Sequence, residues 1–258
     1  MAMGRAALRG LTTVLCALAA WQIIVVVFQA PAYLLPSPLV VAQKFSLLAG
    51  TGDLGRHVLS TLAEVLAGSL AGAVAGLLCG WLFTRLPVLG RLLSPLILLL
   101  QTAPKIAIAP ILLLWLGLGL APKVVLVAIV AFFPVMAGAA AGLAGVDKSY
   151  RDLARLLRLS AWTRFRRIDL PFAAPPAFAG LRIASTQAMT AAVVGELMGA
   201  TYGLGYLLNL GQENNDAGVV IAAILMLCVM GWLLHEGVRL AERRFLGWHE
   251  SQMAQAQA

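Results

Sequence analysis

The residues that could carry out chemistry in this 258-residue chain are few and lie far apart. No HExxH or GxSxG sequence occurs that would indicate a zinc protease or a serine hydrolase. No pair of cysteines or histidines has the spacing of a metal site or a redox pair. The sequence therefore predicts no catalytic residue and no bound metal or cofactor. The isolated histidines and cysteines are His57, His235 and His249, and Cys16, Cys79 and Cys228.

A nucleotide site of the P-loop type would show the phosphate-binding pattern GxxxxGK[ST]. None of the four lysines in the sequence follows a glycine, so this pattern is absent. If the chain takes part in energised transport, ATP and its Mg²⁺ are expected on a separate polypeptide. The chain itself is predicted not to be an enzyme.

Charged side chains inside long apolar segments are candidate functional residues, because leaving them in lipid is costly. Three of them stand out: Glu64, Lys105 and Glu196. Lys105 lies between Pro104 and Pro110, where an interrupted helix can leave backbone groups free to line a cavity. The sequence leaves open whether Glu64 and Lys105 contact a transported solute or are structural residues that pair or snorkel.

A charged stretch at residues 146 to 182 separates two apolar segments and is too long for a simple turn. Its first part has the helical spacing of an amphipathic helix, with arginines on one face and leucines on another. The apolar face needs cover from the membrane domain or from a partner protein, and the basic face suits an acidic groove or anionic lipid headgroups. The two faces comprise Arg151, Arg155 and Arg158, and Leu153, Leu156 and Leu157.

The composition identifies the environment of these residues as a membrane. The chain is 61% hydrophobic and 12% charged, with a mean hydropathy of +0.90, whereas a soluble domain is about 25% charged. Residues 1–258 are expected to form a single transmembrane domain, with a frayed tail at 251–258.

Six segments are apolar enough for the roughly 20 residues that a helical span requires. We therefore predict an all-α, polytopic membrane protein with six transmembrane helices. The segments are 8–28, 58–83, 92–116, 121–144, 175–200 and 219–240.

The distribution of positive charge predicts the orientation of these spans. With the N-terminus inside, fifteen of the nineteen basic residues fall in inner segments, which is the positive-inside pattern. Lys44, Arg56 and Lys123 are left outside, and Lys105 lies within a span. Both termini and the charged stretch are thus expected in the cytoplasm, and the net charge of +8 reflects topology rather than nucleic-acid binding.

The second span carries glycines at a strict four-residue spacing, which stacks them on one face of a helix. This pattern predicts a seam where another backbone packs closely, although a sliding surface along a solute path is an alternative. The glycines are Gly68, Gly72, Gly76 and Gly80.

The charged stretch resembles the EAA motif of ABC importer permeases, which reads E-A-A, three residues, G, nine residues, I-x-L-P. The spacing is kept throughout residues 152–171. In that family the loop forms a coupling helix that docks into the ATPase subunit, so the resemblance implies an ATPase-docking loop at 146–171. The implied docking residues are Asp152, Leu153, Ala154, Arg155, Leu156, Leu157, Arg158, Ile168, Leu170 and Pro171.

The resemblance covers most of the chain, from LLPSP through TLAEVLAGSLAG, PKIAIAPILLLWLGLG and FFPVMAGAAAGLAGVD to VVGELMGA and ERRFLGW. Together these segments resemble type I ABC importer permeases of the nitrate, sulfonate and taurine type and those for pyrimidine-type vitamin precursors. The resemblance implies a permease pair in the bacterial inner membrane, with ATPase subunits below and a substrate-binding protein outside. A small anionic or vitamin-precursor-like solute would cross by alternating access, and Glu196, at an acidic position of the family, would have a structural or gating role near the outer mouth.

Arg158 departs from the family pattern, because it stands where the motif has glycine. If that glycine adopts a left-handed conformation, an arginine there costs about 1 to 2 kcal/mol.

The alternative function is a self-sufficient secondary transporter or channel, for which internal ion sites and inverted repeats are expected. Neither is visible in the sequence.

Overall fold

A computed structural model describes residues 2–247, with side chains from 12 to 104 and from 107 to 247. Helices follow one another along the whole of this part of the chain, and no strand occurs in it. The predicted all-α class is therefore confirmed. The helices are α1 (Ala2–Val27), α2 (Pro38–Gly50), α3 (Asp53–Arg85), α4 (Pro87–Thr102), α5 (Ala109–Leu116), α6 (Leu120–Ala144), α7 (Lys148–Leu156), α8 (Ala161–Arg164), α9 (Leu170–Leu197), α10 (Leu204–Glu213) and α11 (Ala217–Leu246).

Four stretches of the described chain are helical, long and apolar enough to cross a membrane: Asp53–Arg85, Leu120–Ala144, Ala161–Leu197 and Ala217–Leu246. They contain the second, fourth and sixth predicted spans and all but the last three residues of the fifth. The third of these stretches is continuous because α8 joins α9 through a π-helical turn, Phe165–Asp169. The first predicted span, except for its last residue, lies in α1, whose described apolar part is Thr12–Val27.

The third predicted span, 92–116, is not one helix. It is divided into α4, a 3₁₀ turn at Lys105–Ile108, and α5. Pro104 explains the break, because a residue that precedes proline is driven out of the α region, and Ala103 accordingly has an extended ψ of 141°. Hydropathy alone could not show this interruption.

The centre of the bundle is formed by α3, α6 and α9. The four glycines of α3 are buried against α6. A Cβ atom at Gly76 would lie 2.7 Å from the carbonyl oxygen of Phe132, and one at Gly80 would lie 2.9 Å from Cβ of Ala139. Only glycine allows two helix backbones to approach so closely. The seam thus fixes how α3 and α6 pack, and it thereby positions the polar residues at both ends of the bundle.

Candidate functional site

The candidate docking loop begins where α6 ends, at what we call the loop end of the bundle. Asp147 caps α7 by accepting a hydrogen bond of 2.7 Å from the backbone N–H of Ser149. This bond lowers the pKa of Asp147. Ala154 is buried in a small core with Val146 and Ile168, against which Leu159 packs. One face of α7 is therefore fixed to the loop's own core.

The end of α7 is a Schellman motif, in which a left-handed residue reverses the chain. The backbone N–H of Leu159 donates to the carbonyl of Ala154, and that of Arg158 donates to the carbonyl of Arg155, each at 3.0 Å. Arg158 has a φ of 47°. The position at which the motif has glycine thus adopts the left-handed conformation that glycine favours, although it carries an arginine.

The apolar face of α7 is uncovered within the described chain. Leu153, Leu156 and Leu157 are all exposed, with Leu156 at 80% and Leu157 at 61%. Beside them Arg155 forms an exposed ion pair of 3.0 Å with Asp152. Since the buried residue of this helix is Ala154, the leucines point away from the bundle and form a free surface.

The arginines of α7 do not share one face as the spacing predicted. Arg155 and Arg158 are exposed, but Arg151 turns toward the bundle. Its Nη2 donates to the carbonyls of Leu143 and Ala144 at 3.3 and 3.1 Å. These carbonyls belong to the last turn of α6, where a cation is favoured by the helix dipole.

The second half of the loop, α8 and the π turn, leads into α9. Ile168 is buried, Leu170 is exposed, and Pro171 stands at the start of α9, directly after the π turn. Between them, Asp169 is buried and pairs with Arg85 at 2.7 Å and with Arg164 at 3.5 Å. This cluster was not predicted; the only sequence signal was an acidic residue inside the I-x-L-P segment.

At the opposite end of the bundle, Glu64 of α3 and Lys123 of α6 form a buried ion pair. The exposed fraction of the side chain is 0% for Glu64 and 7% for Lys123. Lys123, which was predicted to lie in an outer segment, is a buried residue of the first turn of α6. Ser60 donates to the same carboxylate at 3.2 Å.

Glu196 lies next to this pair and is 1% exposed. Its carboxylate accepts hydrogen bonds from the hydroxyl of Thr61 at 2.5 Å and from the backbone N–H of Gly205 at 2.6 Å. The hydroxyl of Thr61 in turn accepts from the N–H of Leu204 at 2.8 Å, and Nδ1 of His57 accepts from Gly203 at 3.0 Å. These side chains hold the start of α10 against α3 and α9.

A further ion pair on this side joins α2 to the start of α11. Lys44 lies 2.5 Å from Asp216, which also caps α11 through the N–H of Val219. Burial opposes ionisation of Asp216, but the hydrogen bonds from Lys44 and Val219 outweigh it and lower the pKa of this carboxyl. The pair anchors α2 to the rest of the bundle.

The backbone of Lys105 lies in the 3₁₀ turn between α4 and α5, but its side chain is outside the described residues.

Among the residues that the structure describes, no three His, Cys, Asp or Glu side chains come together as a metal site would require.

Residues 72–247 match the family described as "Binding-protein-dependent transport system inner membrane component". The chain is 33% identical over 239 residues to a riboflavin transport system permease of Chloroflexus aurantiacus, covering 93% of this chain and 89% of the relative. It is 32% identical over 246 residues to a putative aliphatic sulfonates transport permease of Bacillus subtilis, covering 95% and 88%.

The fold is also similar to solved ABC transporters. An inward-facing MetNI methionine transporter matches with a TM-score of 0.65 at 22% identity, covering 74% of this chain and 95% of the other. An amino acid ABC transporter matches at 0.62 and 19% identity, covering 77% and 97%.

The fold and the comparisons together define a membrane-embedded transport subunit. The chain belongs to the family of binding-protein-dependent transport system inner membrane components, as its resemblance predicted. It is a permease subunit of an ABC importer and a multi-pass protein of the inner membrane. Membership implies that it works with an ATPase partner and a substrate-binding protein.

Proposed function

We propose that the loop 146–171 docks an ATPase subunit through the exposed leucines of α7 and transmits its movement to the bundle. The observation that carries this proposal is the uncovered apolar face of α7 on a helix whose other side is fixed by Ala154. Exposed leucines in water are unfavourable unless a partner covers them. The ion pair of Asp152 with Arg155 adds a polar rim to this surface.

Co-purification with the cognate ATPase tests this docking. Leu156→Asp together with Leu157→Asp is expected to abolish ATPase recovery while membrane insertion is unchanged. Leu118→Asp is the matched control, since Leu118 is also 80% exposed but lies between α5 and α6 at the opposite end of the bundle. Equal ATPase recovery with the double variant would refute the docking surface, and ion-driven transport by the chain alone would favour a secondary transporter.

We propose the rest of the assembly by analogy with the family. Two copies of the chain enclose the pathway, both termini face the cytoplasm, and residues 1–258 form one permease domain. The chain is non-catalytic and binds no cofactor, so ATP and Mg²⁺ are held by the ATPase.

The similarity to sulfonate and riboflavin permeases supports a small organic solute, anionic or vitamin-like, as the transported substrate. Solute uptake with the cognate binding protein tests this assignment.

The cluster around Glu64 and Glu196 acts in gating as a positioning element rather than as a solute site. Both carboxylates are buried and already bonded within the protein, to Lys123 and to Thr61, so a solute could reach neither without disrupting those bonds. The cluster and His57 hold Gly203 and Leu204 against α3 and Gly205 against α9, so that the start of α10 moves together with the bundle. Glu196→Gln is expected to slow transport with ATPase recovery intact; unchanged transport would contradict the gating role.

Lys105 remains a candidate pathway residue, because its backbone lies in the interruption between α4 and α5. Lys105→Ala is expected to reduce solute uptake while leaving expression and ATPase recovery unchanged. Unaltered uptake would remove it from the pathway.

A further inference from the structure

A polar pocket of about 280 Å³ lies at the loop end of the bundle, where α3 and α6 end and the docking loop begins. Its charged lining comprises Arg85 from α3, Arg151 from α7, Arg164 from α8, and Asp169 from the π turn. The pocket therefore touches both the bundle and the loop that is proposed to move against it.

The pocket has an excess of positive charge. Asp169 pairs with both Arg85 and Arg164, so three guanidinium groups share a single carboxylate. The side chains of Arg85 and Arg164 are only 32% and 31% exposed. Partly buried guanidinium groups that lack a full set of counter-charges are costly, and an anion in the pocket would remove that cost.

Hydrogen-bond donors are also left over. The Nε atom of Arg151 is buried and has no hydrogen-bond partner among the described residues. The buried Nε atom of Arg164 makes no hydrogen bond and faces only the carboxylate of Asp169, as an ion pair at 3.5 Å. The Nη2 of Arg151 is already committed to the carbonyls of Leu143 and Ala144. Buried donors without acceptors are rare in folded proteins, and oxygen atoms of a phosphate group suit arginine donors in number and geometry.

The apolar walls of the pocket favour a phosphate group that belongs to a lipid. Phe83, Pro87 and Leu143 supply apolar lining, and the adjacent Leu86 and Val88 are exposed. The two helices that end here, α3 and α6, are both long enough to span a membrane. We infer that the pocket binds the phosphate of an anionic phospholipid headgroup, whose acyl chains lie along the apolar surface beside Leu86.

This site would place a lipid between the bundle and the coupling loop. Arg151 and Arg164 belong to the loop, and Arg85 belongs to α3, so a bound headgroup would stiffen the connection through which ATPase movement passes. The role in coupling rests on the proposed function, but headgroup binding does not and can be measured on the permease chain alone.

Native mass spectrometry of the purified full-length chain, titrated with phosphatidylglycerol, tests the binding. Arg151→Gln with Arg164→Gln is expected to weaken the lipid adduct about tenfold or more, since charge-assisted hydrogen bonds are lost. Arg155→Gln with Arg158→Gln is the matched control, because it removes the same charge from exposed positions of the same loop. Equal losses in the two double variants would overturn the site.

A single variant and a competition with inorganic phosphate complete the test. Arg164→Gln alone preserves the bonds of Arg151 to α6 and replaces the double variant if the latter does not remain monodisperse; it too must weaken the adduct. Excess inorganic phosphate is expected to leave phosphatidylglycerol bound, and displacement by phosphate would show a site for a free anion instead. If lipid binding is unaffected but the ATPase is lost from Arg164→Gln, the pocket receives an acidic side chain of the ATPase and the lipid assignment is wrong.

Discussion

The backbone N–H of Leu159 donates to the carbonyl of Ala154 at 3.0 Å, and this bond ends the candidate coupling helix. It requires the intervening Arg158 to be left-handed, with φ at 47°. The same reversal brings Leu159 onto the core formed by Ala154 and Ile168. The geometry of the loop is thus kept even though the glycine of the motif is absent.

Arg158→Gly is therefore expected to stabilise the loop by about 1 kcal/mol, because glycine adopts a left-handed φ without the Cβ penalty. Arg158→Ala is the control, since it removes the guanidinium but keeps Cβ. Thermal unfolding of the purified chain in detergent measures both. A gain in the alanine variant equal to that in the glycine variant would show that charge, and not backbone conformation, is responsible.

The buried ion pair between Glu64 and Lys123 is expected to stabilise the packing of α3 against α6. Lys123→Met leaves the carboxylate of Glu64 buried without its cation, which is expected to cost about 3 to 5 kcal/mol. Adding Glu64→Gln removes the unpaired charge and should restore most of the loss. A double variant as unstable as Lys123→Met alone would mean that the pair is not the source of the effect.

Thr61 links the start of α10 to Glu196 through a single hydroxyl. Thr61→Val keeps the shape but leaves the N–H of Leu204 without an acceptor, so unfolding free energy is expected to fall by about 1 to 3 kcal/mol. Thr61→Ser keeps the hydroxyl and serves as the control. If Thr61→Val and Thr61→Ser change the free energy of unfolding equally, the hydrogen bonds of the Thr61 hydroxyl do not contribute measurably to stability.

The glycine seam predicts a contrast between two positions in long helices. Gly76→Ala would drive a Cβ against the carbonyl of Phe132, and overpacking of this kind is expected to cost about 1 to 3 kcal/mol. A Cβ at Gly237 of α11 meets nothing within 4 Å, so Gly237→Ala should be neutral or slightly stabilising. Thermal unfolding compares the two, and similar values would argue against close packing of α3 on α6.

Much of the fold could be predicted because apolar length determines where helices span a bilayer. The fourth predicted span, 121–144, coincides with α6 except for one residue, and the predicted amphipathic helix of the candidate docking loop is present as α7. The break at Pro104 and the burial of Lys123 were not predicted. Hydropathy averages over a window, and Lys123 is tolerated inside a helix only because Glu64, 59 residues earlier, pairs with it.

The polar clusters at the two ends of the bundle were not predicted from the sequence either. Asp169 and Arg85 are 84 residues apart in sequence, and Thr61 and Glu196 are 135 apart. Such pairs depend on how helices pack, and packing here is set by the glycine seam. The sequence indicated the charged residues within the spans but could not show which of them meet.

Docking through the leucines of α7 is tested most directly by protection of a thiol at that surface. A Leu156→Cys variant, in a background where Cys16, Cys79 and Cys228 are replaced by alanine, is treated with an impermeant maleimide in inside-out vesicles. The cysteine is expected to react when the ATPase is absent and to be protected when it is present, while Leu118→Cys reacts only from the opposite side in intact cells. Reaction of Cys at 156 in intact cells, or equal reaction with and without the ATPase, would contradict the account.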